Sequence, residues 1–78
     1  MKRRVKLTFP QKLIQEPVLF KMAMKYNVVP NIRRARVTET VGEMVLELDG
    51  KEDSLEKGIK WMRNKGVQVE LVEGDIIE

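Results

Sequence analysis

The side chains that could do chemistry in this sequence are mainly carboxylates, because it contains no cysteine and no histidine. Without cysteine there is no disulfide, no thiol nucleophile and no cysteine-ligated metal, and without histidine the usual general base is missing. Asp49, Glu52 and Asp53 come closest to a catalytic cluster, but acidic residues also suit the start of a helix. Ser54 has no base beside it. We therefore predict a protein that is not an enzyme and uses no cofactor or metal.

A group of residues suited to binding begins at Asn31. The amide of Asn31 can hydrogen-bond the polar head of an amino acid, and Ile32 and Arg33 follow it in a predicted strand. At a sheet edge, the backbone groups of such a strand are free to pair with another chain. Alternatively, Asn31 only shapes a turn after Pro30. The candidate ligand-binding residues are Asn31, Ile32 and Arg33.

Arg33, Arg34 and Arg36 form the densest group of charges, which raises the question of nucleic-acid binding. The formal net charge of +3 permits such contact without arguing for it. RNA-binding sheets of this size stack bases on outward aromatic side chains, but no outward position on the predicted central strands is aromatic. We expect no nucleic-acid partner and interpret the arginines as a guard against wrong strand pairing.

The spacing of apolar residues predicts four strands and two helices. A period of two predicts strands over residues 3–9, 31–40, 43–49 and 67–72. Three- and four-residue spacing predicts helices beginning at Pro17 and after Gly50, with Asn27 and Gly66 as their stops. Ile32 has the wrong parity for its strand, so we expect a bulge there.

The element order βαββαβ predicts an α+β fold. Right-handed crossovers select the ferredoxin-like arrangement, a four-stranded antiparallel sheet of order 4-1-3-2 with two helices on one face. Glu70, Lys6, Glu47 and Arg36 are expected to form one row of alternating charge across the open face. Leu71 of the last strand is expected to face the core.

The 78 residues suffice for one domain with one core. We predict a domain over residues 1–72 and a C-terminal tail over residues 73–78. No signal-peptide pattern is present, and no apolar run approaches the roughly 20 residues that span a bilayer. A cytoplasmic protein without membrane insertion is therefore expected. Phe20 and Met24 lie off the apolar stripe of the first helix and provide either a wide core contact or a surface for a partner.

Five short segments within residues 3 to 72 carry a family resemblance. They are Val5-Lys-Leu-Thr-Phe-Pro, Glu16-Pro-Val-Leu, Asn31-Ile-Arg, Leu46-Glu-Leu-Asp-Gly and Gly66-Val-Gln-Val-Glu. In order and spacing they resemble the NIL domain, a ferredoxin-like module of methionine importer ATPase subunits and of some ferredoxins.

The resemblance implies a small regulatory module that forms a homodimer and binds methionine or a related amino acid at the dimer interface, at Asn31, Ile32 and Arg33. The family has leucine where this chain has Arg33, so the ligand stays open. The chain lacks the GxxxxGK[ST] motif of ATPases, and a transport role would need a transporter partner. The alternative is an interaction module that docks on a ferredoxin or another partner in sulfur amino-acid metabolism without a ligand.

Overall fold

Alternating apolar residues form the four strands of one antiparallel sheet. In the computed structural model, which describes residues 1–72, the strands are β1 (Lys2–Phe9), β2 (Val29–Val37), β3 (Gly42–Asp49) and β4 (Gln68–Leu71). They lie in the order β2-β3-β1-β4, and all neighbours are antiparallel. The predicted α+β fold and strand order 4-1-3-2 are confirmed. The predicted tail, residues 73–78, lies outside the described residues.

Two helices cover one face of this sheet. They are α1 (Val18–Tyr26) and α2 (Glu52–Lys65), and a short 3-10 helix (Gln11–Leu13) precedes α1. Asn27 ends α1 at φ 58°, and Gly66 ends α2 at φ 113°. Both values lie in the left-handed region that asparagine and glycine tolerate best, which confirms the predicted stops.

The core lies between the helices and the sheet. It consists of alternate strand residues and the apolar stripes of the helices: Val5, Leu7, Phe9, Leu13, Val18, Met22, Val28, Leu46, Leu48, Leu55, Ile59, Met62, Val67 and Val69. The two helices approach each other closely at Gly58, where a Cβ atom would lie 2.7 Å from the Sδ atom of Met22. A Cβ atom at this crossing would therefore force the side chain of Met22 to shift.

Leu71 does not join the core. Its side chain is 60% exposed, although its neighbour on β1, Val5, is fully buried. Leu71 is the last residue of a short strand at the sheet edge, so packing reaches it from one side only, and it lines an open groove beside Ile59 and Arg63. Leu71 therefore lies on the inward face, as expected, but its side chain is not buried in the core.

The charges of the open face are paired differently from the expected row. Lys6 lies opposite Glu70 on β4, as expected, but opposite Val45 on β3. Glu47 lies opposite Arg4 instead, and an Nη2–Oε2 distance of 3.1 Å joins the two side chains. The expected row was wrong because periodicity assigns residues to a face without fixing the register between two strands.

Candidate functional site

The edge strand β2 directs part of its backbone away from the sheet. Among the described strands it pairs with β3 alone. The N–H of Thr38 donates to the carbonyl of Val41 at 2.7 Å. Counting back from this bonded pair shows which residues of β2 are hydrogen-bonded to β3. Because hydrogen-bonding residues alternate along a strand, Arg34 and Arg36 bond β3, whereas Ala35 and Val37 turn their N–H and C=O groups outward.

A bulge at Arg33 changes the parity of β2. The register with β3 shifts between Ile32 and Arg34, which confirms the predicted irregularity. Because Arg33 is the extra residue, Ile32 lies on the same face as Ala35 and Val37 despite its odd spacing. The helices cover this face over the rest of the sheet. Like Ala35 and Val37, Ile32 also turns its backbone N–H and C=O groups away from β3.

The three candidate ligand-binding residues are divided between the two faces of the sheet. Asn31 lies opposite Glu47 on the open face. A hydrogen bond from Arg4 lowers the pKa of Glu47 below its usual 4.5, and the charge of Arg33 acts in the same direction. The structure therefore brings Asn31 and Arg33 to the neighbourhood of Glu47, while Ile32 lies on the opposite face and is 51% exposed.

Exposed apolar side chains flank the β2 edge on the helix side. Ile32 and Val37 of β2 are more than half exposed, and so are Phe20 and Met24, which lie one turn apart on α1. Phe20 and Val37 also line the same cavity. The surplus apolar surface that the sequence indicated on α1 is therefore present.

An apolar cavity of about 210 Å³ opens between the start of α1, the 3-10 helix and β3. Its walls include Leu13, Ile14, Leu19, Phe20, Val37 and Met44. Sequence reasoning missed this cavity because segments distant in the chain form it together. The run of apolar residues around the 3-10 helix was the signal that could have indicated it.

Glu16 is the charged residue in the lining of this cavity. Its Oε1 atom is buried and accepts no hydrogen bond from any group in the described part of the chain. The Nζ atom of Lys65 lies 3.6 Å from it and also lies over the ring of Trp61. The carboxylate of Glu16 is therefore only partly satisfied.

The other edge strand, β4, has one of its backbone acceptors occupied by a side chain. The side chain of Arg63 donates from Nη2 to the carbonyl of Val69 on β4 at 2.9 Å. This bond occupies a backbone acceptor of the short strand β4, a common way to protect a sheet edge. Of the two edges, β2 offers the longer row of outward backbone groups.

Two of the carboxylates near the start of α2 pair with cations. Asp49 lies 3.8 Å from the amino group of Met1, and Glu52 lies 3.9 Å from Nη2 of Arg3. Within residues 1–72, no group of three or more acidic, histidine or cysteine side chains could hold a metal ion. No helix in the same range is long and apolar enough to span a membrane.

Sequence comparison identifies the family of this domain. The sequence profile of the NIL domain matches residues 3–71. The chain belongs to the NIL domain family. The match covers nearly all the described residues, including β2, the bulge and the cavity lining.

Relatives of this NIL domain occur within larger proteins. It is 26% identical over 74 residues to the methionine import ATP-binding protein MetN of Bacillus subtilis, a match that covers 90% of this chain. It is 28% identical over 76 residues to the protein of the same name from Halalkalibacterium halodurans, with 92% of this chain covered. In both cases the match spans 22% of the relative, about a fifth of its length.

Solved structures show the same fold. The C-terminal domain of an ABC transporter ATP-binding protein from Enterococcus faecalis superposes with a TM-score of 0.83 at 22% identity, covering 94% of this NIL domain and 86% of that chain. The de novo designed protein Foldit4 superposes with a TM-score of 0.55 at 7% identity, covering 95% and 97%. Both likenesses concern the ferredoxin-like fold.

Proposed function

We propose that this NIL domain is a regulatory module that catalyses no reaction, forms a homodimer and binds methionine or a related amino acid. The observation that carries the proposal is the outward backbone of β2, flanked on the helix side by half-exposed apolar side chains. The ligand class is supported by the family and by relatives whose names state methionine import. The module would span residues 1–72 and work in the cytoplasm, beside a transporter or another partner protein.

The argument for a homodimer rests on the contrast between the two sheet edges. Arg63 occupies a carbonyl on β4, whereas Ile32, Ala35 and Val37 on β2 turn backbone groups outward. Pro30 precedes them on the same edge, where its missing N–H costs no bond within the sheet. A second copy of β2 has the same spacing of donors and acceptors, which suits an isologous contact.

The argument for a ligand at Asn31, Ile32 and Arg33 rests on the chemistry of these side chains. The amide of Asn31 can both donate and accept, and the aliphatic stem of Arg33 can cover apolar surface while its guanidinium reaches into water. Ile32 adds apolar contact on the helix side. A small amino acid bound along this edge would meet a polar and an apolar surface together.

Sedimentation equilibrium tests the homodimer. We expect a dimer at about 100 μM chain, a concentration at which micromolar self-association is complete. Ala35→Pro removes an outward N–H and should give a folded monomer, because that N–H lies outside the β3 ladder. Arg36→Pro is the matched control, since its N–H belongs to the ladder and its loss should unfold the protein. A native monomer at this concentration would refute the pairing.

Calorimetric titration with free methionine tests the ligand. We expect saturable heat from the native chain and stronger binding after Arg33→Leu, because leucine restores the apolar contact of the family pattern. Tight methionine binding by the native chain that the substitution leaves unchanged would show that position 33 does not set the ligand. The absence of heat from both forms would refute methionine as the ligand.

The second candidate function is a protein-interaction module without a ligand, docking on a ferredoxin or a partner in sulfur amino-acid metabolism. The exposure of Phe20 and Met24 favours it, because adaptable apolar surfaces of this kind contact partner proteins. Such a module would give no heat with methionine, and Phe20→Ser would weaken its contact with the partner.

A further inference from the structure

Arg34 and Arg36 place two charges on the open face of the edge strand β2. Both residues are exposed, and within residues 1–72 their side chains make no ion pair and no hydrogen bond. Glu43 lies directly opposite Arg36 on β3, but no ion pair joins the two side chains. Glu47, further along β3, is hydrogen-bonded to Arg4 instead. The guanidinium groups of Arg34 and Arg36 therefore face the solvent.

The proposed homodimer would bring these charges of two copies together. The residues of β2 that turn their backbone groups outward lie two ladder positions apart: Ile32, Ala35 and Val37. A two-fold axis at Ala35 aligns all three with their counterparts, and it sets Arg34 directly opposite Arg36 of the second copy.

The meeting of arginines does not depend on this choice of axis. Moving the axis by one ladder position, to Arg34, would set Pro30 against Val37 and lose a bond, because proline has no N–H. Arg34 would then lie opposite its own counterpart. In either register, arginines of the two copies meet on the open face at the β2 junction, which is the line along which the two β2 strands pair.

Four guanidinium groups can surround one point of this junction. Arg34 bonds β3, so with Arg36 of the second copy it forms a non-hydrogen-bonded pair, in which Cα atoms lie about 4.5 Å apart. The two arginines of one strand are two residues apart, which separates their Cα atoms by about 7 Å. The methyl group of Ala35 projects to the helix side. The centre of the four arginines is therefore open.

This arrangement repels itself and suits an anion. Like charges directly opposite each other on paired strands destabilise the pairing, and an anion bound between them removes that repulsion. A guanidinium group donates two parallel hydrogen bonds to a phosphate, which gives arginine an advantage over lysine. The four oxygen atoms of a phosphate can be arranged about a two-fold axis, so a single ion can present the same oxygens to both copies.

A single phosphate group suits the open face better than a nucleic acid does. The aromatic residues of the chain lie in the core or on the helices: Phe9, Phe20, Tyr26 and Trp61. The open face therefore has no ring on which a base could stack. Beyond the junction its charges alternate in sign, since Lys6 lies opposite Glu70 and Arg4 bonds Glu47. A long polyanion would meet these acidic side chains.

We propose that the paired β2 strands form a phosphate site on the open face, made of Arg34 and Arg36 from both copies. A phosphate group, free or at the end of an ester, neutralises the β2 junction and so tightens the dimer. Because such coupling is reciprocal, pairing raises the affinity for phosphate by the same factor. The inference rests on the proposed homodimer and adds an anionic regulator of its assembly.

Sedimentation equilibrium at constant ionic strength tests this coupling. We expect about 10 mM sodium phosphate to lower the dissociation constant of the dimer about tenfold, which corresponds to a phosphate affinity of about 1 mM. Sodium chloride balances the ionic strength, so that general screening stays the same. The dependence on phosphate concentration should approach one ion per dimer. A dependence that approaches two ions would overturn a site on the axis.

The double variant Arg34→Gln, Arg36→Gln tests the residues. It should pair more tightly than the native chain in chloride, because the repulsion is gone, and should not respond to phosphate. A merely structural role of the arginines would weaken the dimer instead. The matched control is Lys57→Gln with Lys60→Gln, which removes two exposed charges from α2 and should keep the native response. Arg34→Gln alone replaces the double variant if that variant does not fold, and its behaviour should be intermediate.

Two further probes identify the group that is bound. Phenyl phosphate should tighten the dimer as much as phosphate does, because the far side of the bound group faces water. An effect of phenyl phosphate without one of phosphate would overturn the proposal, since the ring would then be the group bound. A hexaglutamate peptide that tightens the dimer when phosphate does not would also overturn it, and would assign the junction to acidic proteins.

The outcomes separate this inference from the proposed function. A native chain that pairs equally well in phosphate and in chloride would overturn the phosphate site and leave the homodimer standing. Equal responses of the native chain and the arginine double variant would do the same, because phosphate would then act only as a general salt on apolar burial. A chain that is monomeric at about 100 μM in both salts would overturn the homodimer together with this inference.

Discussion

Asn27 is the residue whose backbone conformation determines how α1 ends. Its φ of 58° lies in the left-handed region, which asparagine tolerates better than most residues. We expect Asn27→Ala to lower the free energy of unfolding by about 1 kcal/mol, because a Cβ-bearing residue without a polar group is strained there. Asn27→Gly should change it by less than about 0.5 kcal/mol. Urea unfolding followed by the fluorescence of Trp61 measures both, and equal effects of the two substitutions would contradict this account.

The ion pair of Arg4 and Glu47 makes stability depend on pH. The hydrogen bond from Arg4 is the main cause of the lowered pKa of Glu47 in the folded state. Because that pKa lies below its unfolded value, the unfolded chain binds more protons in mild acid. The pair therefore stabilises the fold at neutral pH, and its contribution is lost as the pH falls through the folded pKa.

We expect Arg4→Gln to destabilise the domain at about pH 7 and to have a smaller effect at about pH 3, because a larger share of Glu47 is protonated at the lower pH. Urea unfolding of the native and variant chains at the two pH values measures the difference. An effect of equal size at both would show that Arg4 acts through the packing of its aliphatic stem rather than through its charge.

At the scale of elements, the strands were predictable and their register was not. Each strand has one apolar face. The periodicity of the sequence shows which residues lie on that face but not how neighbouring strands align. The odd position of Ile32 still predicted the bulge. One extra residue in the strand is the simplest way to place Ile32 on the same face as Ala35 and Val37. The pairing of Glu47 with Arg4 rather than Lys6 could not be derived, since it depends on how β1 and β3 slide past each other.

The position of the candidate ligand-binding residues was predictable in part. The residue types at Asn31, Ile32 and Arg33 indicated an edge strand suited to binding, and the structure does place them at an edge. Their division between two faces follows from the bulge at Arg33. The exact position of this bulge is known only from the register of β2 with β3. The cavity near Glu16 escaped prediction because its walls come from segments that the chain brings together only when folded.

At the scale of the whole molecule, the domain has one covered face, one open face and two unlike edges. A chain of this size buries only about 60–65% of its unfolded surface, so an additional apolar contact at β2 would add appreciably to its stability. The short edge at β4 is guarded by Arg63. The long edge at β2 has outward backbone groups and exposed apolar side chains, which is the arrangement of a contact surface.

Amide hydrogen exchange along β2 tests the central claim, that this edge pairs with a second copy, most directly. We expect the amides of Ile32, Ala35 and Val37 to exchange rapidly at about 1 μM chain and to become protected at about 500 μM, as pairing buries them. The amides of Arg34 and Arg36, which face β3, should be protected at both concentrations. Rapid exchange of Ile32, Ala35 and Val37 at the higher concentration would contradict the account, because it would leave the β2 edge unpaired.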